Sequence, residues 1–225
     1  MNRCRIHRSA PAISTAILDG LRSMPSALVS DQLDRIGVVA GVARVAVGDT
    51  PTGEIIVGTA RTVRTRPGDN LVIYKAIQCA PTGSILVIDA GGSLDRAVMG
   101  EIVVHHAASS GMSGLIIDGA IRDRSEIARG PIPVFARGVT PAGPYKSGPG
   151  AIHGQVALGG VPVADGDAVV ADDDGVVIVP RQDLDRVLEG GRRQLGREEE
   201  MLAAAIAGQL DTAWVDSALE VTDHG

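Results

Sequence analysis

The sequence predicts an α/β fold: a single domain with a central β layer, helices on its outside and a helical C-terminal arm. The main observation is a β–α–β pattern over residues 84–118, in which two continuous apolar runs, each typical of a strand buried on both faces, flank a helical segment. After residue 119, short apolar segments alternate with turns, as in small strands. Because 44% of the residues are hydrophobic but only 2% are aromatic, the core must be built from Val, Ile, Leu and Ala.

Two helices are predicted before the first strand. Residues 13–24 carry apolar side chains at helical spacing until Pro25 interrupts the pattern, which gives an N-terminal helical segment within residues 1–24. A second helix is predicted to begin with Ser30 as its N-cap and to end near Gly37. This helix lies in the segment of residues 25–180, which we expect to form the main domain.

The first half of the main domain is predicted from the order of apolar runs and turn residues. Residues 54–66 alternate apolar and polar side chains in their later part, as a half-buried strand does. Asp69 or Asn70 is expected to cap the helix that follows. Within the β–α–β unit, a glycine-rich loop at residues 90–95 precedes the helix, and a right-handed crossover makes the two strands parallel.

The second half consists of short strands and a long helix. The predicted strands lie at residues 134–136, 155–157, 161–163, 168–170 and 176–179, with Asp172–Gly175 as a hairpin turn. A helix over about residues 183–208 forms the C-terminal arm of residues 181–225, and Gly190-Gly191 is a candidate interruption of it. This amphipathic arm either packs on another subunit or remains a loose surface helix.

The composition excludes several classes of protein. The net charge is −6 and no run of Lys or Arg is longer than two residues, so the sequence shows no basic stripe for nucleic acid. No apolar run approaches the ~18 residues that a membrane span needs, and no apolar stretch of a secretory signal follows the basic N-terminus. We therefore expect a cytoplasmic protein with no nucleic-acid or membrane partner, whose Cys4 and Cys79 are free thiols.

The best candidates for catalytic or metal-binding residues lie at the end of the second strand of the β–α–β unit and on the helix before it. Arg122 and Asp123 follow this strand, and Glu101 stands near a helix start if the helix, or a fresh turn of it, begins near Gly100. Ligands of open α/β layers bind beyond the carboxyl ends of the strands, so these side chains and the free N–H groups of the helix are expected at one crevice. Arg122 offers a planar fork for a carboxylate or an enolate oxygen, and Asp123 and Glu101 offer oxygen ligands for Mg²⁺ or Mn²⁺. The alternative is a surface ion pair and a glutamate that only stabilises the helix dipole.

Other candidate residues have simpler explanations. The adjacent His105-His106 point to different sides of a helix, so they cannot both bind one metal. Asp172–Asp174 fit a hairpin turn better than a cation site. Gly91–Ser93 lack the pattern of a nucleotide-binding loop and are interpreted as the floor of the pocket. The only two lysines, Lys75 and Lys146, have no obvious apolar pocket, which argues against Schiff-base chemistry.

The spacing between Glu101 and Arg122 carries a resemblance to a known family. Glu101, twenty further residues and then Arg122-Asp123 resemble the acidic-x20-Arg-Asp signature of 4-hydroxy-4-methyl-2-oxoglutarate aldolases and RraA-like proteins. Further similar segments extend the resemblance over roughly residues 25–205, and they are Val57–Val63, Pro67–Asn70, Gly114–Asp123, Pro133–Ala136 and Gly166–Pro180.

The resemblance implies a fold, an assembly and residue roles. It implies a β/β/α swivelling-domain fold in homotrimers or hexamers, with the site near a subunit boundary. Arg122 would bind substrate, Asp123 would hold a divalent metal, and the main-chain amides of Gly100, Glu101, Ile102 and Val103 would receive the carboxylate of pyruvate. Aldolases of this family often carry Asp where this chain has Glu101, which puts the substrate range in question. The family also implies an acidic residue from a neighbouring chain, for which Glu198 or Glu199 is the candidate.

Two functions are compatible with the sequence. The resemblance implies a metal-dependent class II pyruvate aldolase that cleaves 4-hydroxy-2-oxo diacids to pyruvate, with Arg122 and Glu101 as catalytic residues and with oxaloacetate decarboxylation as a related reaction. The alternative is an RraA-like regulator that binds an RNA-degrading endonuclease without catalysis. The complete acidic-x20-Arg-Asp pattern favours the enzyme, because a masking protein has no need of it.

Overall fold

The protein consists of a large mixed sheet with helices packed against it, and the computed structural model describes residues 3–46 and 53–222. The strands are β1 (Cys4–Ile6), β2 (Ala43–Arg44), β3 (Ile56–Thr65), β4 (Ile85–Asp89), β5 (Gly114–Ile121), β6 (Val134–Val139), β7 (Gly150–Ile152), β8 (Val156–Leu158), β9 (Val161–Val163), β10 (Ala168–Asp172) and β11 (Gly175–Val179). The helices are α1 (Thr15–Arg22), α2 (Ser26–Asp31), α3 (Leu71–Cys79), α4 (Glu101–Ser109), α5 (Arg124–Ile127), α6 (Leu184–Ile206) and α7 (Trp214–Ala218).

The predicted α/β class is confirmed. The strand order of the main sheet is β1-β7-β3-β4-β5-β6-β2, and the hairpin β10-β11 joins it through an antiparallel pairing of β10 with β3. Strands β3, β4, β5 and β6 are parallel to one another, which includes the predicted β–α–β pair. One buried apolar cluster joins one face of the sheet to α3 and α4, and a second joins β10-β11 to α1, α2 and α6. No helix in the described ranges has the length and apolar character of a membrane span.

The prediction for the second helix is wrong at both ends. Helix α2 begins at Ser26, whose amide and hydroxyl donate to the two carboxylate oxygens of Asp172 at 2.7 and 2.6 Å. No motif near Ser26 in the sequence indicates this partner. It ends at Asp31 because Asp34 and Arg35 adopt left-handed backbone conformations, with φ of 52° and 64°. Ser30 therefore lies inside the helix and is not its N-cap.

Two further expectations are corrected by packing between elements. Strand β3 is buried on nearly all of both faces, not half-buried, because it lies between β4 and β7 and also pairs with β10. Helix α6 is continuous over 23 residues, so Gly190-Gly191 do not interrupt it. These glycines let α2 approach closely, since a Cβ at Gly190 would collide with the Gln32 side chain.

A buried polar network joins the N-terminal segment to the sheet. The Asp165 carboxylate accepts from Arg61 Nη1 at 2.9 Å and from the Ala10 amide at 2.9 Å, and lies 2.8 Å from His153 Nδ1. The Arg61 side chain is 1% exposed and those of Asp165 and His153 are each 4% exposed. Because unpaired charges are costly in such a place, the network fixes residues 7–13 against the body of the protein.

The stability of the protein is expected to depend on pH through Asp165. Burial alone raises the pKa of this carboxyl, but hydrogen bonds from the Ala10 amide, His153 and the Thr62 amide hold the pKa below its ordinary value. A carboxyl whose pKa is lowered by folding contributes stability above its unfolded pKa and loses it as pH falls through the folded pKa. We expect Asp165→Asn to reduce the urea unfolding free energy at pH 7 and to flatten its decline below about pH 4. The exposed Asp95→Asn is the control, and an unchanged acid limb in Asp165→Asn would contradict this role.

Candidate functional site

The loop between β4 and α4 is held against the end of β5. Strand β5 extends to Ile121, three residues beyond the predicted Asp118, and Met99 forms a parallel bridge with Ile121. The Arg122 amide donates to the Met99 carbonyl at 2.9 Å, and the Val98 amide donates to the Ala120 carbonyl at 2.8 Å. These bonds bring the start of α4 next to the residues that follow β5, as the sequence predicted.

Gly100 stands where two chain segments meet. A Cβ at this position would collide with Asp123 Oδ2 and would lie 2.9 Å from Arg122 Cγ, so only glycine fits without movement. The Glu101 amide donates to Asp123 Oδ2 at 3.1 Å, which couples the first turn of α4 to Asp123. Asp123 has a left-handed backbone, with φ of 57°, a conformation that Asp and Asn tolerate better than most residues.

A cavity of about 350 Å³ opens beside Arg122. Its lining residues are Asn70, Tyr74, Gly100, Ile102, Val103, Arg122, Gly143, Pro144 and Lys146. Within the described ranges, two buried side-chain polar atoms have no hydrogen-bond partner, Asn70 Oδ1 and Arg122 Nε, and both belong to residues of this lining. Native proteins rarely leave such atoms without a hydrogen bond, so a donor and an acceptor on residues of one lining favour a polar occupant of this cavity.

The main-chain amides of the first turn of α4 are engaged to different extents. The Glu101 amide donates to Asp123, and the Val103 amide donates to the Gly100 carbonyl at 3.0 Å. The amides of Gly100 and Ile102 donate to no other group in the described part of the chain. These two are the donors that a ligand carboxylate can take without breaking an existing bond.

The carboxylates of Asp123 and Glu101 lie beside this cavity and are not part of its lining. Their side chains are 39% and 47% exposed, and Asp123 Oδ2 lies 3.5 Å from Arg122 Nε. Glu101 Oε1 is 3.9 Å from His105 Nε2, one turn along α4. Among residues 3–46 and 53–222, no group of three or more His, Cys, Asp or Glu side chains could hold a metal ion together.

The sequence predicts no role in the cavity for five residues of its lining, Asn70, Tyr74, Gly143, Pro144 and Lys146. It predicts Asn70 only as a possible helix cap at the end of a segment that resembles the family, and it argues against Lys146 as a Schiff-base lysine. The parallel bridge between Asp69 and Tyr145, the residues before Asn70 and Lys146, brings their two segments together. No local motif shows this contact, although the polar residues in otherwise glycine- and proline-rich turns were a signal.

Other predicted positions lie elsewhere. Gly91 and Gly92 do not line the Arg122 cavity but a separate hollow with Asp118 and Arg137, so their interpretation as its floor is wrong. Glu198 and Glu199 are on the exposed half of α6, which packs on α1 and α2 in the same chain. Their role in a neighbouring subunit stays a prediction.

Comparison with known proteins identifies relatives of this chain. The family model described as "RraA-like: Aldolase/RraA" matches residues 26–178. A protein of Halalkalibacterium halodurans named "Putative 4-hydroxy-4-methyl-2-oxoglutarate aldolase" is 37% identical over 180 residues, which span 79% of this chain and 83% of that protein.

Two solved structures share the fold. A protein of Pseudomonas syringae pv. tomato, described as uncharacterized, superposes with a TM-score of 0.76 at 29% identity and covers 88% of this chain and 96% of its own. Streptomyces coelicolor RraAS2, described as an unusual member of the RNase ES inhibitor RraA protein family, superposes with a TM-score of 0.72 at 27% identity and covers 83% of this chain and 96% of its own.

Proposed function

The chain belongs to the RraA-like family, and from this premise we propose that it is a divalent-metal-dependent lyase that cleaves 4-hydroxy-2-oxo diacids to pyruvate. Decarboxylation of oxaloacetate is a related reaction, because it also passes through the enolate of pyruvate. The observation that carries the proposal is a cavity whose lining residues Arg122 and Asn70 each carry a buried polar atom, Nε and Oδ1, without a hydrogen-bond partner.

The charges of the cavity support a substrate with two carboxylates. Arg122 and Lys146 are the two cationic residues of its lining, and no acidic residue lines it. In this proposal the Gly100 and Ile102 amides receive the carboxylate next to the keto group. Lys146 receives the distal carboxylate, and Asn70 Oδ1 accepts a hydrogen bond from the water that takes up the proton of the substrate hydroxyl, which satisfies its buried oxygen.

The reaction breaks the C3–C4 bond of the substrate. The 4-hydroxyl loses its proton, C4 becomes a carbonyl, and the electron pair stays on the three-carbon fragment as the enolate of pyruvate, which then takes up a proton at C3. Arg122 stabilises the negative charge that develops on the 2-oxo oxygen, because its planar guanidinium presents several donors to that oxygen. In this proposal Glu101, beside the cavity, takes the hydroxyl proton through water.

The carboxylates beside the cavity fit a divalent cation. Mg²⁺ usually keeps several waters and binds one or two protein carboxylates together with substrate oxygens. Asp123 Oδ1 takes part neither in the hydrogen bond from the Glu101 amide nor in the 3.5 Å ion pair with Arg122, and the side chain is partly exposed, with Glu101 next to it. Bound there, Mg²⁺ or Mn²⁺ would act as a Lewis acid on the keto acid.

Pyruvate release tests the proposed function. Purified protein, freed of metal with a chelator, is mixed with 4-hydroxy-2-oxoglutarate, 4-hydroxy-4-methyl-2-oxoglutarate or oxaloacetate, with and without added Mg²⁺ or Mn²⁺. We expect the metal-free protein to release little pyruvate, and we expect release to be restored when Mg²⁺ or Mn²⁺ is added in excess of the remaining chelator. Release no faster than in buffer with the same metal, for all three substrates, would remove the proposal.

Lys146→Met is expected to change substrate preference. Loss of the ammonium group should lower kcat/KM about tenfold to a hundredfold for 4-hydroxy-2-oxoglutarate, because the distal carboxylate loses its charged partner. It should change kcat/KM little for 4-hydroxy-2-oxopentanoate, which lacks that carboxylate. Lys75→Met, at the other lysine of the chain and exposed on α3, is the matched control. An equal loss for both substrates would contradict a role at the distal carboxylate.

We also propose a homotrimer or hexamer, in which Glu198 or Glu199 of the partner subunit approaches the site. The outer half of α6 supports this proposal, because Met201, Leu202 and Ile206 are 57%, 62% and 80% exposed and have little to pack on in one chain. Sedimentation at micromolar concentration checks it, and a monomer that is fully active would contradict it.

The second candidate function is suggested by the description of the Streptomyces protein as a member of the RNase ES inhibitor RraA family. In that case the chain binds an RNA-degrading endonuclease by its surface and needs no cavity. Capture of such an endonuclease with equal affinity by the wild-type chain and by Arg122→Ala, in a protein without lyase activity, would favour this alternative.

A further inference from the structure

A second cavity lies at the edge of the sheet and shares no lining residue with the Arg122 cavity. It has a volume of about 1060 Å³ and is lined by β1, β7, the end of β3 and the residues next to them. Its lining contains four arginines and one histidine but no acidic and no aromatic residue. The basic residues, here named the arginine groove, are Arg3, Arg5, His7, Arg64 and Arg66.

The strand register places two of these arginines on one face. Arg5 pairs with Ala151 on β7, and Ala151 pairs with Arg64 on β3. Residues opposite each other share a face of the sheet, so Arg5 and Arg64, both opposite Ala151, lie on one face. Arg3 and Arg66 stand just outside the two strands and line the same groove, in two columns with Arg5 and Arg64, and the Arg66 guanidinium lies 5.3 Å from the centre of the Tyr145 ring. The two arginine columns are separated by one strand, a distance of about 10 Å. The small side chain of Ala151 leaves space between them.

The positive charge of the groove is only partly compensated. Arg64 Nε lies 3.2 Å from Asp89 Oδ2. Arg3, Arg5 and Arg66 form no ion pair with a carboxylate in the described part of the chain, although the full sequence has a formal net charge of −6. Like charges held this close repel one another, and a bound anion would relieve the repulsion.

The lining selects the class of anion. With no aromatic side chain, the groove has no platform for stacking bases, and the acidic protein as a whole repels a long polyanion. Guanidinium forks suit phosphate oxygens, and two columns suit a ligand with more than one anionic group. We propose that the arginine groove binds a small oligophosphate or phosphate ester, independently of the lyase site.

Calorimetric titration with inorganic tripolyphosphate tests this site on the full chain in buffer without divalent metal. We expect saturable binding that weakens as salt is raised. Arg5→Ala and Arg66→Ala should each weaken binding about fivefold to tenfold, because each removes charge-assisted hydrogen bonds. The use of both variants, one on β1 and one after β3, guards against local loss of β1 in Arg5→Ala.

Two controls separate the groove from general attraction and from the Arg122 cavity. Arg8→Ala removes the same charge from the same segment outside the lining, and Arg122→Lys alters the proposed lyase site. Both should bind tripolyphosphate as the wild type does. The inference is overturned if no saturable binding occurs, if Arg8→Ala weakens binding as much as Arg5→Ala does, or if Arg122→Lys abolishes binding. Equal affinity for citrate would overturn the assignment to phosphates.

Discussion

Replacing Arg122 by lysine is expected to lower kcat/KM for pyruvate release about a hundredfold to a thousandfold, the usual cost of losing one fixed donor to a developing oxyanion. Lysine keeps the charge but loses the planar fork, and its ammonium cannot occupy the position of Nε. The Arg122 Nε atom is buried without a hydrogen-bond partner, so it contributes little to the stability of the free protein. We therefore expect the melting temperature to change by only a few degrees.

The matched control for this variant is Arg124→Lys, two residues along the chain. Arg124 is exposed on α5 and does not line the cavity. Steady-state kinetics and thermal unfolding are measured on both variants. If Arg122→Lys loses rate and melting temperature together, or keeps its rate, then Arg122 is a structural residue and the proposed mechanism fails.

Replacing Asp123 by asparagine is expected to raise the Mg²⁺ concentration for half-maximal activity about a hundredfold or more, because direct ligands matter at least as much as the groups that support them. The substitution is mild for the fold. Asparagine tolerates the left-handed φ of 57°, and its amide oxygen can still accept the Glu101 amide. The effect should therefore appear in metal affinity before it appears in stability.

Binding of Mn²⁺, followed by electron paramagnetic resonance without substrate, measures this effect apart from turnover. Glu126→Gln, which removes an exposed carboxylate of α5, is the control and should leave Mn²⁺ affinity unchanged. An Asp123→Asn protein that binds Mn²⁺ as the wild type does would exclude Asp123 as the metal ligand, even if the variant were inactive.

Local sequence was enough to predict the elements that are defined by their own apolar pattern. Strands β4 and β5 were predicted from continuous apolar runs, and their parallel pairing is confirmed. The helix after the glycine-rich loop was predicted as well, with Val98 among its residues and a start near Gly100 as one possibility, and the structure begins it at Glu101. The proximity of Arg122 and Asp123 to the first turn of α4 followed from the carboxyl-end rule for parallel strands.

Elements that depend on distant partners could not be predicted in the same way. The start of α2 is fixed by Asp172, which lies 146 positions away in the chain. Strands β1 and β7 are three residues each and carry no periodic pattern of their own, since they exist by pairing with each other and with β3. The arginine groove arises from this pairing, although no run of basic residues in the sequence exceeds two.

The sequence by itself determined the α/β class, the β–α–β unit and the succession of Glu101, Arg122 and Asp123, because each depends on neighbours along the chain. Only the tertiary structure decided which further residues face Arg122. Asn70 and Lys146 reach the same cavity because two turns pair through Asp69 and Tyr145, a contact between segments 76 positions apart that local propensity does not encode. Burial then leaves one donor and one acceptor without partners, and that property exists only in the folded chain.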